Sequence, residues 1–471
     1  MDSLLFFTCL TINLLLVLFI YILYSKYWSK YDGKNSILMK LFFYINIYKL
    51  FFNGVIVDIL RIFSGGTQNQ KYDVSSFEIL NVVVIDFISN IIYFSFFTFL
   101  LFLFVKKKEK INLKISLEKQ LSVLTVISIL TIGTYLFRAF FQEKLWLFNS
   151  AINFIGPICA VLTCFVALKL KKYFLFSIGI LTLITIIFFT ILNGLRGSIF
   201  GIGILILLFS YIEFDTKTLK KILLAGIIPV ILVYNISVNL SSIKYAIVEA
   251  AVNNTYDFSN YNGYLNFAKG YFTNDPKIKK IKTKSKPFIE EFEFRFGAPT
   301  LFSVGFLRLV ERNDYAYAQP ILNSFYSFLP RQLFTSEKPW PSSSDGSEKS
   351  MGMYKCVSEI VGTQKKTFMT DFSVASHFYW EFGWLGVFFL SLIPAIYNII
   401  IFSISRFKSY VGVVLFLVSF KPFYFYTKLW ISEIITMIPT IILPTLLLMF
   451  FLQKFIPNFA IWNFKTRLNF L

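Results

Sequence analysis

The chain has 471 residues, 56% of them hydrophobic and 20% aromatic, and only 15% charged, against roughly 25% charged in an ordinary soluble domain. Such a chain cannot stay in water, and its apolar residues gather into runs of the length that crosses a bilayer. A formal charge of +20 would suggest a nucleic-acid partner in a soluble protein, but here most Lys and Arg flank the apolar runs, a topological pattern that leaves nucleic acid out.

The first run, Leu4 to Tyr24, is preceded by no basic leader and followed by Lys26, Lys30, Lys34 and Lys40. It reads as a retained helix with its N-terminus outside. Further spans are predicted at 41–62, 78–105, 121–141, 147–169, 173–194, 197–213, 222–240, 378–403, 410–427 and 431–453, about 11 in all. The second is the weakest, because Lys49, Asp58 and Arg61 interrupt it and it could instead lie in the interface. Lys106–Lys108, Lys169/Lys171/Lys172, Lys217/Lys220/Lys221, Arg406/Lys408 and Lys454 then all fall on one side, which should be the cytoplasm. Residues 1–240 hold the first eight spans, 241–372 a large loop on the opposite side, and 373–471 the last three spans and a cytoplasmic tail. No internal repeat relates the halves, which weakens a transporter reading.

The large loop carries aromatics throughout and should pack as short helices lying on the membrane domain. Its stretch Lys277–Lys286 holds six lysines in ten residues, either a solvated turn or an attractor of polyanions and lipid headgroups. Cys9, Cys159 and Cys164 lie in apolar runs, Cys356 lies in the loop, and His377 is the single histidine. Neither a disulfide framework nor a histidine-rich zinc site is available.

Three places carry chemistry. Arg196, in Asn193-Gly194-Leu195-Arg196-Gly197-Ser198, sits between two apolar runs with hardly any polar loop. It either binds an anion at membrane depth or snorkels to headgroups. Arg331 and Lys338 lie in Pro330-Arg331-Gln332-Leu333-Phe334-Thr335-Ser336-Glu337-Lys338-Pro339, whose prolines hold the cations on a stiff backbone suited to a diphosphate; the plain alternative is a surface turn with Arg331 paired to Glu337. His377 and Glu381, four apart at the start of the ninth span, share a helix face and can accept a proton from a hydroxyl, unless they are incidental to an aromatic belt of Tyr379, Trp380 and Trp384. Asp371 and Asp314 are weaker base candidates, and Asp58, Asp86 and Glu433 are potential partners for buried cations.

Arg196-Gly197, Pro330-Arg331, Lys338-Pro339 and Phe382-Gly383-Trp384-Leu385-Gly386, in this order relative to the spans, resemble the Wzy family of O-antigen polymerases. The resemblance implies an all-α polytopic fold of the GT-C type in a bacterial inner membrane, with a partly helical periplasmic loop. It implies a glycosyltransferase that polymerises undecaprenyl-diphosphate-linked oligosaccharide repeat units, donor and acceptor alike, and leaves room for a chain-length regulator as a partner. Arg196 and Arg331, supported by Lys338 and Arg295, would take the charge of the departing diphosphate. Glu381, helped by His377, would serve as acceptor base, with no cofactor and no metal. An O-antigen ligase, which transfers the same donor to a lipid A core, and a flippase or other transporter of the lipid-linked unit remain the alternatives.

Overall fold

The computed structural model describes residues 2–30, 37–66, 70–105, 117–137, 146–192, 261–273, 288–325, 372–405, 410–419 and 437–455, with 202–203, 205–206, 209–210, 356, 359–360 and 434–435 as short pieces. Every regular element among them is helical. Helix α1 (Asp2–Lys26) is followed by α2 (Ile37–Leu50), which passes through a π-helical turn at Phe51–Ile56 into α3 (Val57–Ser64). Then come α4 (Ser76–Phe104), α5 (Leu117–Leu136), α6 (Trp146–Lys169) and α7 (Tyr173–Leu192). The segment read as the large loop contributes α8 (Tyr261–Phe272), α9 (Phe288–Glu311) and the short α10 (Gln319–Ser324). The chain continues with α11 (Val374–Leu390), α12 (Leu392–Ser405), α13 (Tyr410–Ser419) and α14 (Leu443–Phe455).

Among the described residues, six stretches, Ser3–Lys26, Leu38–Ser64, Ser76–Phe104, Leu117–Leu136, Ala151–Lys169 and Tyr173–Thr190, are long and apolar enough to cross a bilayer. A seventh is added if α11 and α12, bent by 45° between them, form one span. The chain is therefore a multi-pass membrane protein. The weakest span of the sequence reading, 41–62, lies within a 27-residue helical stretch that meets the length and composition of a crossing. Of the expected spans, 197–213 is described only at a few helical residues, 222–240 lies outside the described residues, and 410–427 and 431–453 are described in part.

Helix α4 is the hub, packing against α1, α9, α11 and α12. Its start is fixed by a capping box: the Ser75 hydroxyl accepts from the Glu78 amide at 3.2 Å, and the Glu78 carboxylate accepts from the Ser75 amide at 2.8 Å. Two apolar clusters are threaded on α1 and α4. One gathers Leu16, Ile20 and Leu23 of α1 with Tyr93, Phe94, Phe97 and Leu101 of α4, and Trp28 closes it by donating to Thr98 Oγ1 at 2.8 Å. The other gathers Phe6 and Cys9 of α1, Ile79, Val82, Val83 and Ile85 of α4, and the α9 and α11 residues Phe302, Phe306 and Trp380. Asn13 on α1 and Asp86, Ser89 and Asn90 on α4 fall between the clusters, so a polar layer separates two apolar ones.

Helices α5, α6 and α7 form a second group packed mutually, and α13 and α14 lie against α6. Small residues set these contacts, as expected where lipid leaves little hydrophobic drive between helices. A Cβ on Gly156 would overlap the Thr131 side chain, and one on Gly179 would come within 2.6 Å of Cys164 Sγ. Ser128 pairs with Thr163 at 3.2 Å, and Thr134 donates to Asn153 at 2.8 Å. Large apolar side chains left outside, such as Leu4, Phe7 and Leu18 of α1 and Phe99, Phe102 and Phe104 of α4, clothe the helices for lipid.

Helix α9 is longer than the short helices expected of the loop, at 24 residues, and it packs into the bundle against α3, α4 and α11. Arg308 pins it there. Its guanidinium donates to Glu78 Oε1 at 2.7 Å, to the Asp73 carbonyl at 2.7 Å and to the Glu359 carbonyl at 3.1 Å. The hydrogen bond to Glu78 holds Arg308 further above the ordinary arginine range.

Candidate functional site

Helix α11 begins at Ser373, whose hydroxyl accepts from the Ser376 amide at 3.2 Å and also donates to Asp86 on α4. It breaks eight residues after its start, at Phe382 (φ −148°, ψ 25°) and Gly383 (φ 62°, ψ −143°). Gly383 occupies the left-handed region that favours glycine, and Gly386 lets the continuing helix fold back onto the Phe378 carbonyl, which a Cβ there would overlap.

A helix break leaves carbonyls of the preceding turn without amide partners. The segment between α9 and α10 supplies them: the Ala316 amide donates to the Trp380 carbonyl at 3.1 Å and the Tyr317 amide to the Glu381 carbonyl at 3.2 Å. The Ala318 amide donates to the Glu381 carboxylate, Oε2, at 2.6 Å, and Trp380 Nε1 returns a bond to the Asp314 carbonyl at 2.8 Å. The docked segment holds Tyr317 (φ 46°) and Ala318 (φ 62°) in the left-handed region, a conformation that costs non-glycine residues on the order of 1–2 kcal/mol each.

Glu381 and His377 are both buried, with Glu381 Oε1 3.8 Å from His377 Nε2. That oxygen has no hydrogen-bond partner among the described residues. The imidazole packs edge-on against Phe306 and Trp380. Over the carboxylate lies an aromatic rim: the exposed rings of Tyr317 and Phe382 stand 6.4 Å apart, and Tyr315 approaches Gly383. Of the three aromatics offered as a belt, only Trp384 is exposed; Trp380 is buried and Tyr379 half-buried.

The polar layer between the two apolar clusters encloses a second site, a cavity of about 130 Å³. Helix α1 gives it Asn13, α2 gives Asn46 and Lys49, the π turn gives Asn53 and Gly54, and α3 gives Asp58. Helix α4 adds Asp86, Ser89, Asn90 and Tyr93, α9 adds Pro299 and Thr300, and the start of α11 adds Phe372, Ser373 and Phe378. Asp58 accepts from Asn13 Nδ2 at 2.6 Å and pairs with Arg61 at 3.2 Å, both carboxylate and guanidinium being buried. Arg61 also donates to the Gly297 carbonyl at 3.4 Å. Lys49 lies within coulombic reach of Asp86. Gly54 leaves Asn13 its place, since a Cβ there would come within 2.9 Å of the Asn13 carboxamide.

The structure brings His377 and Glu381 together and ties them to residues 314–318. Arg295 lies on α9, eleven positions before Phe306, the residue that touches His377, and its side chain lies outside what the structure describes. Arg196, Arg331 and Lys338 lie outside the described residues, as do the Lys277–Lys286 stretch, Asp371 and Glu433. Asp314 contributes its backbone carbonyl to Trp380. Asp58 meets a buried cation, Arg61, as anticipated, while Asp86 shares the cavity wall with Lys49. The cavity itself was not anticipated. Its signal is a polar face on apolar helices: Asn46, Lys49 and Asn53 at i, i+3, i+7, and Asp86, Ser89, Asn90 and Tyr93 at i, i+3, i+4, i+7.

Among the described residues no group of three or more His, Cys, Asp or Glu is placed to hold a metal ion. No family model, no curated protein and no solved structure matches this chain.

Proposed function

We propose that the chain is a membrane glycosyltransferase that polymerises undecaprenyl-diphosphate-linked oligosaccharide repeat units on the periplasmic face of a bacterial inner membrane, as the O-antigen polymerases that it resembles do. In this reading the full chain has about eleven spans, a GT-C-like arrangement, and residues 241–372 in the periplasm. The observation that carries it is the Glu381 carboxylate at the break of α11, one oxygen held by Ala318 and the other without a hydrogen-bond partner among the described residues. An acceptor hydroxyl needs such an oxygen within hydrogen-bond reach, in fixed orientation, to lose its proton as the new glycosidic bond forms. His377, 3.8 Å away, is the positioning residue. The Tyr317 and Phe382 rings supply apolar faces for a sugar, and because Glu381 is fully covered, the acceptor reaches it only when the 314–318 segment moves.

The depth of Asp86, to which Ser373 at the start of α11 is hydrogen-bonded, agrees with chemistry at a membrane surface. With Lys106–Lys108 marking the cytoplasmic edge, the eighteen residues from Phe104 back to Asp86 rise about 27 Å, nearly the full hydrocarbon thickness of roughly 30 Å. Arg196, Arg331 and Lys338 are the cations proposed for the diphosphate of the donor, with Arg295 left in a supporting place.

A transporter of the same lipid-linked unit is the second reading, favoured by one observation, the cavity with ionisable Lys49, Asp58 and Asp86 among the spans. A deletion strain separates the readings through the glycolipid it accumulates. Loss of a polymerase leaves single repeat units on the lipid core, loss of a ligase leaves none attached, and loss of a transporter traps units on the cytoplasmic side. The single-unit phenotype is expected, and restoration by the wild-type gene but not by Arg196→Ala would tie it to the proposed diphosphate site; a full ladder of chain lengths in the deletion strain defeats the reading.

A further inference from the structure

We infer that the cavity between α1, the α2–α3 stretch, α4, α9 and α11 is a pocket for one neutral sugar ring of the lipid-linked oligosaccharide, separate from the Glu381 site. The inference rests on the reading that the substrate is such an oligosaccharide, which the polymerase and transporter readings share.

Charge is the first argument. Asp58 is matched by Arg61 at 3.2 Å, and Asp86 and Lys49 both line the cavity, so the walls carry charges of both signs. A diphosphate entering would meet two carboxylates as well as one ammonium, whereas an uncharged ligand is not opposed. Hydrogen bonding is the second. Between its apolar residues the lining carries the carboxamides of Asn13, Asn46, Asn53 and Asn90 and the hydroxyls of Ser89, Tyr93 and Thr300, groups that both donate and accept and so match a ring of vicinal hydroxyls. The Asn53 side-chain oxygen is buried at this wall with no hydrogen-bond partner among the described residues; leaving it unmatched costs on the order of 1–3 kcal/mol, which a ligand hydroxyl would recover.

Size and apolar surface are the third. A volume of about 130 Å³ is well above the roughly 10–15 Å³ that admits a single water, so the cavity has room for a ligand of sugar-ring size. Phe372 and Phe378 at the start of α11 offer the apolar faces on which the carbon side of a sugar ring rests. Ser373 at the cavity and Glu381 at the break are eight residues apart on α11, about 12 Å along its axis, so a ring held in the cavity and a hydroxyl at Glu381 can belong to one extended repeat unit. The pocket would then select which repeat unit is accepted while the break performs transfer.

The test is saturation-transfer NMR on the full chain in lipid nanodiscs, with glucose, galactose, mannose, rhamnose and N-acetylglucosamine as separate probes and inorganic diphosphate as the anionic competitor. At least one sugar should bind saturably, without displacement by diphosphate, and Asn53→Leu should weaken it by about tenfold or more, the effect of one or two lost hydrogen bonds. Should Asn53→Leu fail to fold, Thr300→Val on the α9 wall of the cavity carries the same expectation. The inference is overturned if no sugar binds the wild-type chain, if diphosphate displaces the sugar, or if the folded cavity variant binds as the wild type does. Sugar binding in the cavity combined with normal chain lengths in the deletion strain would remove the polymerase reading and leave the pocket standing. A single-unit phenotype without sugar binding would do the reverse.

Discussion

The Ala318 amide donates to Glu381 Oε2 at 2.6 Å, across 63 residues of sequence, and so joins the segment between α9 and α10 to the one carboxylate at the break of α11. This single bond fixes the orientation of Glu381 and leaves its second oxygen toward His377. Glu381→Gln keeps an acceptor for the Ala318 amide and nearly the same volume. It should therefore insert and fold normally while losing about 10²–10⁴-fold of chain-extension rate, the usual scale of a missing general base. Glycolipid profiles from a complemented deletion strain would read this out, and long chains from the Gln variant would exclude Glu381 as the base.

Asp58 and Arg61 form a buried pair 3.2 Å apart, side chains no more than 3% exposed. Removing one partner strands the other charge away from water, so Arg61→Met should destabilise the chain by about 3–5 kcal/mol. The double replacement Asp58→Leu with Arg61→Met removes both charges and should cost less than either single change. Thermal unfolding in detergent of the four proteins measures the coupling, and additive losses would show that the pair does not interact.

Gly386 touches the Phe378 carbonyl, and no Cβ fits there, so Gly386→Ala must push the two halves of α11 apart. A Cβ on Gly383 would meet only ordinary contact with Tyr315, at 3.7 Å. Gly383→Ala thus meets no overlap, but its φ of 62° with ψ −143° is backbone that is essentially glycine's own, at a cost on the order of 1–3 kcal/mol. Expression and thermal midpoints should rank Gly386→Ala well below Gly383→Ala; the opposite ranking would mean that the break is not packed as described.

Arg308 holds α9 to the start of α4 through Glu78 and two carbonyls. Its pKa is raised by the bond to Glu78, so the clamp contributes stability that is fully present below the unfolded arginine value and lost only as pH rises through the higher folded one. Both lie beyond the working range, and the clamp should show no weakening across neutral and mildly alkaline pH. Arg308→Ala should lower the thermal midpoint by roughly 1–2 kcal/mol equivalent after allowance for partial exposure, equally at neutral and alkaline pH. A loss that vanishes on moderate alkalinisation would contradict this clamp.

Much of the architecture was legible from spacing. Apolar runs at 4–24, 78–105, 121–141, 147–169 and 173–194 correspond to α1, α4, α5, α6 and α7, because in lipid a backbone must satisfy itself and an apolar run of spanning length has little choice but helix. The interrupted run at 41–62 was harder. Its Lys49, Asp58 and Arg61 look like faults in a span until the partners on α1, α4 and α9 are known. Of the candidate site, the His377–Glu381 pair followed from helical periodicity, and the closeness found, 3.8 Å, is what that spacing allows.

What the sequence determined by itself is therefore local: which of the described runs are helical and apolar enough to cross, and that His377 and Glu381 share a face. Tertiary structure decided which distant groups meet. Ala318 on Glu381, Ser373 on Asp86, Arg308 on Glu78 and Asn13 on Asp58 are contacts across 45 to 287 residues, and no period in one segment encodes the position of another. They arise because buried polar groups and broken-helix carbonyls must find partners where water is absent, and only the packed arrangement of α1, α4, α9 and α11 says which partners are within reach.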